Sequence, residues 1–306
     1  MNINVRVNWE IIKNKSEVKP FRILYRKYLC AMGQKKLIKF AAIKEYENVL
    51  EYPQGMPGKW YSFFEKLATG PYPISLDELK VVTKDTPTNQ TLVKPLVLEL
   101  ACGRGEYAVG LARMFPDQHF LGLDIKGNRI WKGASIANKE AIKNVAFVRT
   151  QIEQTIQYFS KDEVSEIWIT FPDPQLRLSK AKKRLTHPQF LRFYQQFLQP
   201  GGSVHLKTDS PNLYEFTMAV IKLFNLTLIQ HSENIYGEQN IDPRCAIKTY
   251  YEGLNIAGSN RIHYIEFKLD KELPKAKDEI LKEIIAEFEV TETHDAKRER
   301  GIKPTQ

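Results

Sequence analysis

Five short apolar runs, separated by stretches of helical spacing and confined to residues 96–208, constrain this chain more than any other feature. They read LVLELA (96–101), HFLGLD (119–124), VAFVRT (145–150), EIWITF (166–171) and SVHLKT (203–208). The first is apolar without alternation, as in a strand covered on both faces. After it Ala108, Val109, Leu111, Ala112 and Phe115 recur at helical spacing, and further helices are expected over 127–139, 152–159, 188–198 and 211–223. The glycines of QPGG (199–202) are expected to end one helix and start the fifth strand. Strand–helix–strand units of this kind close by right-handed crossovers into a parallel sheet. NLTLIQH (225–231) and RIHYIEFKL (261–269) supply a closing pair. The pattern therefore predicts an α/β fold, a doubly wound, mostly parallel seven-stranded sheet with helices on both faces.

Around this core, 95–270, the chain divides further. Residues 1–31 read as a basic arm, and because Met32 opens a stretch that would serve as a protein start, the arm is expected to be dispensable. Residues 32–94 read as a helical extension, with WYSFFEKL (60–67) as an amphipathic helix, followed by a Pro- and Thr-rich linker. Residues 271–306 read as a terminal helix over 276–289 and a solvated tail.

Composition removes several function classes. With 42% apolar residues the chain can bury a full core. No run of about 18 apolar residues is present to span a membrane, and the basic N-terminus lacks the apolar stretch and cleavage site of a signal peptide. The three cysteines, Cys30, Cys102 and Cys245, are widely spaced and odd in number, which fits neither a disulfide framework nor a zinc site. A soluble cytoplasmic protein without a metal is expected. Its formal charge is +9, and 16 basic against 9 acidic side chains put +7 of that in residues 1–94. Clustered Lys and Arg displace counterions from phosphates, so nucleic acid is a candidate partner beside the alternative of ordinary surface charge.

Three sites carry chemistry. In ELACGRGEYA (99–108), at a strand-to-helix turn, Gly103 and Gly105 let the backbone bend sharply and approach a nucleoside. Asp124, at the end of the next strand, is placed to take ribose hydroxyls. Gly103-x-Gly105-x-x-Ala108 also fits a loose dinucleotide fingerprint, which keeps NAD open, but Glu99 ahead of the glycines suits a cationic ligand and repels a pyrophosphate. The fourth strand ends in FPDP (171–174), whose prolines fix the backbone around Asp173. RLSKAKKR (177–184) follows with five basic residues, suited to holding phosphates without reading sequence. KTD (207–209) sets Asp209 on the same edge, and TYYE (249–252) gathers two aromatic rings and a carboxylate.

ELACGRG, FPDP with its basic run ending KKRL, F-L-x-x-Y-x-x-x-L-x-x-G-G (190–202), KTD and TYYE occur in order over about 96–268. Together they resemble the bacterial tRNA (guanine-N7)-methyltransferase family. The resemblance implies a Rossmann-like class I methyltransferase fold, S-adenosylmethionine as methyl donor, and methylation of guanosine 46 in the tRNA variable loop. It places the cofactor acids on Glu99 and Asp124 and the adenine-side residue on Gln151. The FPDP acid falls on Asp173, a basic substrate contact on Arg177, the strand-five acid on Asp209, and the substrate motif on Thr249, Tyr250, Tyr251 and Glu252. Three positions depart from the family pattern: Gln175 where Trp is usual, Gln151 where Asp or Asn is usual, and Arg177 where Lys is usual. The alternatives are a methyltransferase acting on another RNA and a basic RNA-binding protein with a vestigial cofactor pocket.

Guanine N7 carries a lone pair and no proton, so its methylation needs positioning rather than a general base. A carboxylate accepting N1–H and the N2 amino group together rejects adenine. Asp173 is expected to lie between cofactor and base as the catalytic acid, Glu252 or Asp209 to read the guanine edge, and Tyr250 or Tyr251 to stack on a base.

Overall fold

The computed structural model describes residues 36–82, 94–254 and 261–286. The arm over 1–31, the solvated C-terminal tail and part of the segment read as a linker lie outside the described residues.

Among the described residues eight strands form one sheet. β1 (Val49–Glu51), β2 (Leu96–Leu100), β3 (His119–Asp124), β4 (Val145–Arg149), β5 (Val164–Thr170), β6 (Leu198–Thr208), β7 (Leu228–Ser232) and β8 (His263–Lys268) lie in the order β1-β4-β3-β2-β5-β6-β8-β7. All pairings are parallel except those of β8, which runs antiparallel to both β6 and β7. From β2 the chain winds outward through β3 and β4, then returns to β5 on the other side. Crevices at such a reversal, outside the carboxyl ends of the strands, are where open α/β sheets bind ligands.

The expected α/β sheet is therefore present with one strand more than the seven predicted. β1 pairs through Val49, Leu50 and Glu51 with Phe147, Val148 and Arg149. Three residues are too few for a periodicity to show. Two helix boundaries also move. The segment expected as a helix over 152–159 is a 3-10 helix, Ile152–Gln157. The helix expected over 188–198 spans only Pro188–Tyr194, and β6 begins at Leu198, running through the glycines instead of starting after them. A register shift between Val164 and Glu166 absorbs the early start.

Strand alternation sorts the side chains onto two faces. Leu98, Leu100, Ile167, Ile169, Val204 and Leu206 share one core with Trp60, Phe63 and Phe64 of α2 (Trp60–Thr69). That core also takes Leu281 and Ile285 from the terminal helix over 277–286. On the other face Val97, Phe120, Phe147 and Trp168 pack with α3 (Glu106–Met114) and α4 (Gly127–Lys139). Ile43 of α1, over 36–44, joins this second core. The segment ahead of β2 is thus built into both faces of the sheet. Among the described residues no helix is long and apolar enough to cross a membrane.

Candidate active site

A cavity of about 960 Å³ opens at the carboxyl ends of β2 to β6. Seven of the residues singled out in the sequence line it: Gly103, Asp124, Gln151 and Asp173 on one set of loops, and Asp209, Thr249 and Tyr251 on another. Glu99, Gly105, Arg177, Tyr250 and Glu252 do not.

The turn after β2 explains the first division. Gly103 and Gly105 have φ of +54° and +66°, a region that penalises any Cβ. A Cβ on Gly103 would stand 3.2 Å from the Tyr251 ring at the cavity wall, whereas one on Gly105 would stand 2.3 Å from Phe147 in the core. Gly103 keeps the cavity open; Gly105 lets the sheet pack. Asp124 holds this turn, accepting from the backbone N–H of Gly103 at 2.9 Å and of Lys126 at 2.7 Å. A carboxylate has about four lone-pair positions, so two remain for hydroxyl donors from the cavity.

Glu99 lies one layer below. Its Oε1 accepts from the Thr170 hydroxyl at 2.6 Å and its Oε2 from the Ala108 amide at 2.9 Å, with 2% of the residue exposed. Glu99 does not itself line the cavity, but Thr170, which donates to it, does. The carboxyl occupies the N-terminal amide of α3, which is where a dinucleotide's pyrophosphate would dock. This occupancy of the amide, rather than charge repulsion, disfavours NAD. Burial pushes the Glu99 carboxyl up to about 8, with the two hydrogen bonds pulling the other way. The folded chain therefore keeps a proton there that the unfolded chain releases near its ordinary value of 4.5. Stability from this group is complete below about pH 4.5 and is lost as pH rises toward about 8, at up to about 1.4 kcal/mol per pH unit. Glu99→Gln is expected to flatten that slope in urea unfolding at several pH values; a slope equal to wild type would show Glu99 ionised in the fold.

The acid of FPDP is presented as the prolines imply. Phe171 and Gln175 both have positive φ, +46° and +48°, and Asp173 is exposed at the cavity wall, accepting from the Gln175 amide at 3.1 Å. What fixes the loop is Arg184. Only 1% exposed, it donates to the carbonyls of Pro174 and Gln175, at 3.1 and 3.2 Å, and to Asn212 Oδ1 at 2.8 Å. Its guanidinium lies 4.6 Å from the Phe216 ring. The reading of all five basic residues in 177–184 as phosphate contacts is corrected here: Arg177, Lys180, Lys182 and Lys183 are exposed, while Arg184 is a clamp. Gln175, where the family pattern has Trp, serves this loop through its backbone.

The TYYE segment divides in the same way. Tyr251 lines the cavity, 5.2 Å from the Arg129 guanidinium, whereas Tyr250 is half exposed and stacks under Arg104 at 4.2 Å. Thr249 lines the cavity and its hydroxyl accepts from the Glu252 amide at 3.2 Å. Glu252, expected as a guanine reader, is turned inward: Oε2 accepts from Lys207 Nζ at 3.0 Å and Oε1 from the Tyr236 hydroxyl. Lys207 is fully buried and donates also to the carbonyls of Cys245 and Ile247 at 2.8 Å each. Burial draws the Lys207 ammonium below its usual value and Glu252 draws it back. With both oxygens engaged, Glu252 ties the segment to β6, and of the two acids offered as readers only Asp209 faces the cavity.

Lys207 and Tyr236 have no role in the sequence reading, and Arg184 enters it only as a member of the phosphate-holding run. A lysine beside a predicted active edge gives no sign of burial, and its acid lies 45 residues on.

The residues fit S-adenosylmethionine. Asp124 offers acceptors, Gln151 an amide, and Ile125 and Ile152 apolar walls, while the missing Cβ of Gly103 leaves room beside them. Comparison with known proteins agrees. A family model described as "Putative methyltransferase" matches residues 93–263. The tRNA (guanine-N(7)-)-methyltransferase of Bacteroides thetaiotaomicron is 41% identical over 249 residues, 79% of this chain and 88% of that one. The protein of the same name from Porphyromonas gingivalis is 48% identical over 176 residues, 57% of this chain and 71% of that one. The Cytophaga hutchinsonii protein is 32% identical over 78% of this chain and 98% of its own. With relatives matching at these levels over most of its length, the chain belongs to the tRNA (guanine-N7)-methyltransferase family.

Proposed function

We propose that this chain methylates N7 of guanosine 46 in the variable loop of tRNA, with S-adenosylmethionine as donor. The observation that carries the reading is the pair of carboxylates, Asp173 and Asp209, lining the same cavity as Asp124 and Gln151. The family's name supplies the substrate class and the atom. When bound, S-adenosylmethionine supplies a methyl group on an already activated sulfonium.

What remains for the protein is to orient the base and stabilise its charge. Gly103, Asp124, Gln151 and the isoleucines hold the donor at the edge formed by β2, β3 and β4. Asp173 stands at the cavity wall where a guanine gains positive charge as its N7 is alkylated, and a fixed carboxylate lowers the cost of that charge. Asp209 accepts from the N1–H and N2 amino group, which adenine cannot offer together. Tyr251 closes the wall beside Gly103, and Arg177 with Lys180, Lys182 and Lys183 gives an exposed basic strip for phosphates.

The test uses purified protein, methyl-labelled S-adenosylmethionine and unmodified tRNA transcripts, with nucleosides separated after digestion. Label is expected in 7-methylguanosine and absent when the transcript carries another base at position 46. Label in 7-methylguanosine that survives this replacement would keep the reaction and overturn the position; label in another nucleoside would overturn both.

A further inference from the structure

Beside the main cavity lies a cleft of about 380 Å³ that the methyl-transfer chemistry does not use. Lys39 of α1 forms one side and Asn128, Trp131 and Lys132 of α4 the other, and no carboxylate lines it. It shares Arg104, Arg129 and Tyr251 with the main cavity, so the two spaces meet along one wall. Arg104 is already paired with Glu106 at 3.2 Å. Among the described residues, Lys39, Arg129 and Lys132 have no acidic partner. Lys39 Nζ stands 4.6 Å from the Trp131 ring centre. The first turn of α4 holds no acid.

Three cations without an acidic partner and a half-buried indole form a site for something both anionic and flat. An RNA chain offers that combination at every residue: a phosphodiester and a base. Any RNA with one guanine in the main cavity must lead its backbone out of it, and the shared wall makes this cleft the adjoining exit. We propose that the cleft is a nucleotide subsite that takes the phosphate and base of a nucleotide neighbouring the methylated guanosine. Lys39, Arg129 and Lys132 hold the phosphate, and Trp131 stacks on the base. The inference rests on the tRNA reading above and adds to it a contact supplied by the helix ahead of β2.

The helix is placed for this by packing. A Cβ on Gly127 would stand 2.6 Å from Ile43 and 2.9 Å from Phe40, so α1 is seated directly on the start of α4. The subsite thus joins two segments some ninety residues apart in the chain.

Filter binding of unmodified tRNA across a series of salt concentrations tests the proposal, with S-adenosylmethionine affinity measured on each variant as a control for folding. Lys39→Ala/Lys132→Ala is expected to weaken tRNA binding about 10-fold or more. The plot of log affinity against log salt should become shallower by about 1.5, as for the loss of two phosphate contacts. Trp131→Ala is expected to weaken tRNA binding by about 5- to 100-fold, with Trp131→Phe recovering most of the loss. Unchanged tRNA affinity and salt slope in the double variant, with cofactor affinity intact, would overturn the subsite. This failure is separable from that of the proposed reaction. If wild type methylates tRNA and the variants bind it normally, the cleft is idle. If binding depends on the cleft but no 7-methylguanosine forms, the subsite stands and the reaction does not.

Discussion

Asp173→Ala is expected to keep its fold and its cofactor affinity while losing about 10²–10³-fold in kcat, the usual cost of removing one group aimed at transition-state charge. The expectation comes from geometry. Asp173 is exposed, its carboxylate accepts from the Gln175 amide at 3.1 Å, and the loop around it is fixed independently by Arg184. Removing such a side chain changes stability by no more than about 0.5 kcal/mol. Asp173→Asn refines the reading, since it keeps the shape and the acceptor to Gln175 but not the charge. If charge stabilisation is the role, Asn falls nearly as far as Ala. If orientation of the base is the role, Asn stays close to wild type. Wild-type turnover in Asp173→Ala would remove the residue from the mechanism.

Lys207→Met should have the largest effect on stability, about 3–5 kcal/mol in urea unfolding, because it leaves the Glu252 carboxylate buried without its cation. Side-chain exposures of 0% for Lys207 and 7% for Glu252 mean that little water can substitute. Two backbone carbonyls, of Cys245 and Ile247, lose their donor at the same time. The double variant Lys207→Met/Glu252→Met removes the uncompensated charge and is expected to regain part of the loss, the remainder belonging to the carbonyls. A loss below about 1 kcal/mol in the single variant would show that the segment carrying Thr249 and Tyr251 is held by other contacts.

The sheet was legible because its strands are continuous apolar runs long enough to announce themselves, and because the glycines of the first turn punctuate the handover to α3. β1 was not, since three residues ending in Glu51 carry no period, and its place comes from pairing with β4 about a hundred residues later. In the site, residues whose position is set locally, Asp124 after its strand and Asp173 between its prolines, both line the cavity. Residues whose surroundings are supplied by distant parts of the chain were read less well. Nothing near Glu252 in sequence shows that Lys207 and Tyr236 will take both its oxygens, and nothing within the basic run distinguishes Arg184 from its exposed neighbours. Family resemblance points to segments that meet around the cavity, but it does not say which way each side chain turns.

The two glycines of the first turn look interchangeable on paper, yet they answer to different masters. Phe147 forbids a side chain at Gly105 from beneath, while Gly103 borders the space shared with Tyr251. A library of single substitutions sorted only for how much protein accumulates in cells should therefore purge Gly105 harshly and Gly103 more leniently. Sorting for methylated tRNA should purge both. In a duplicated copy of this gene freed from catalysis, drift should accordingly erase the first glycine before the second.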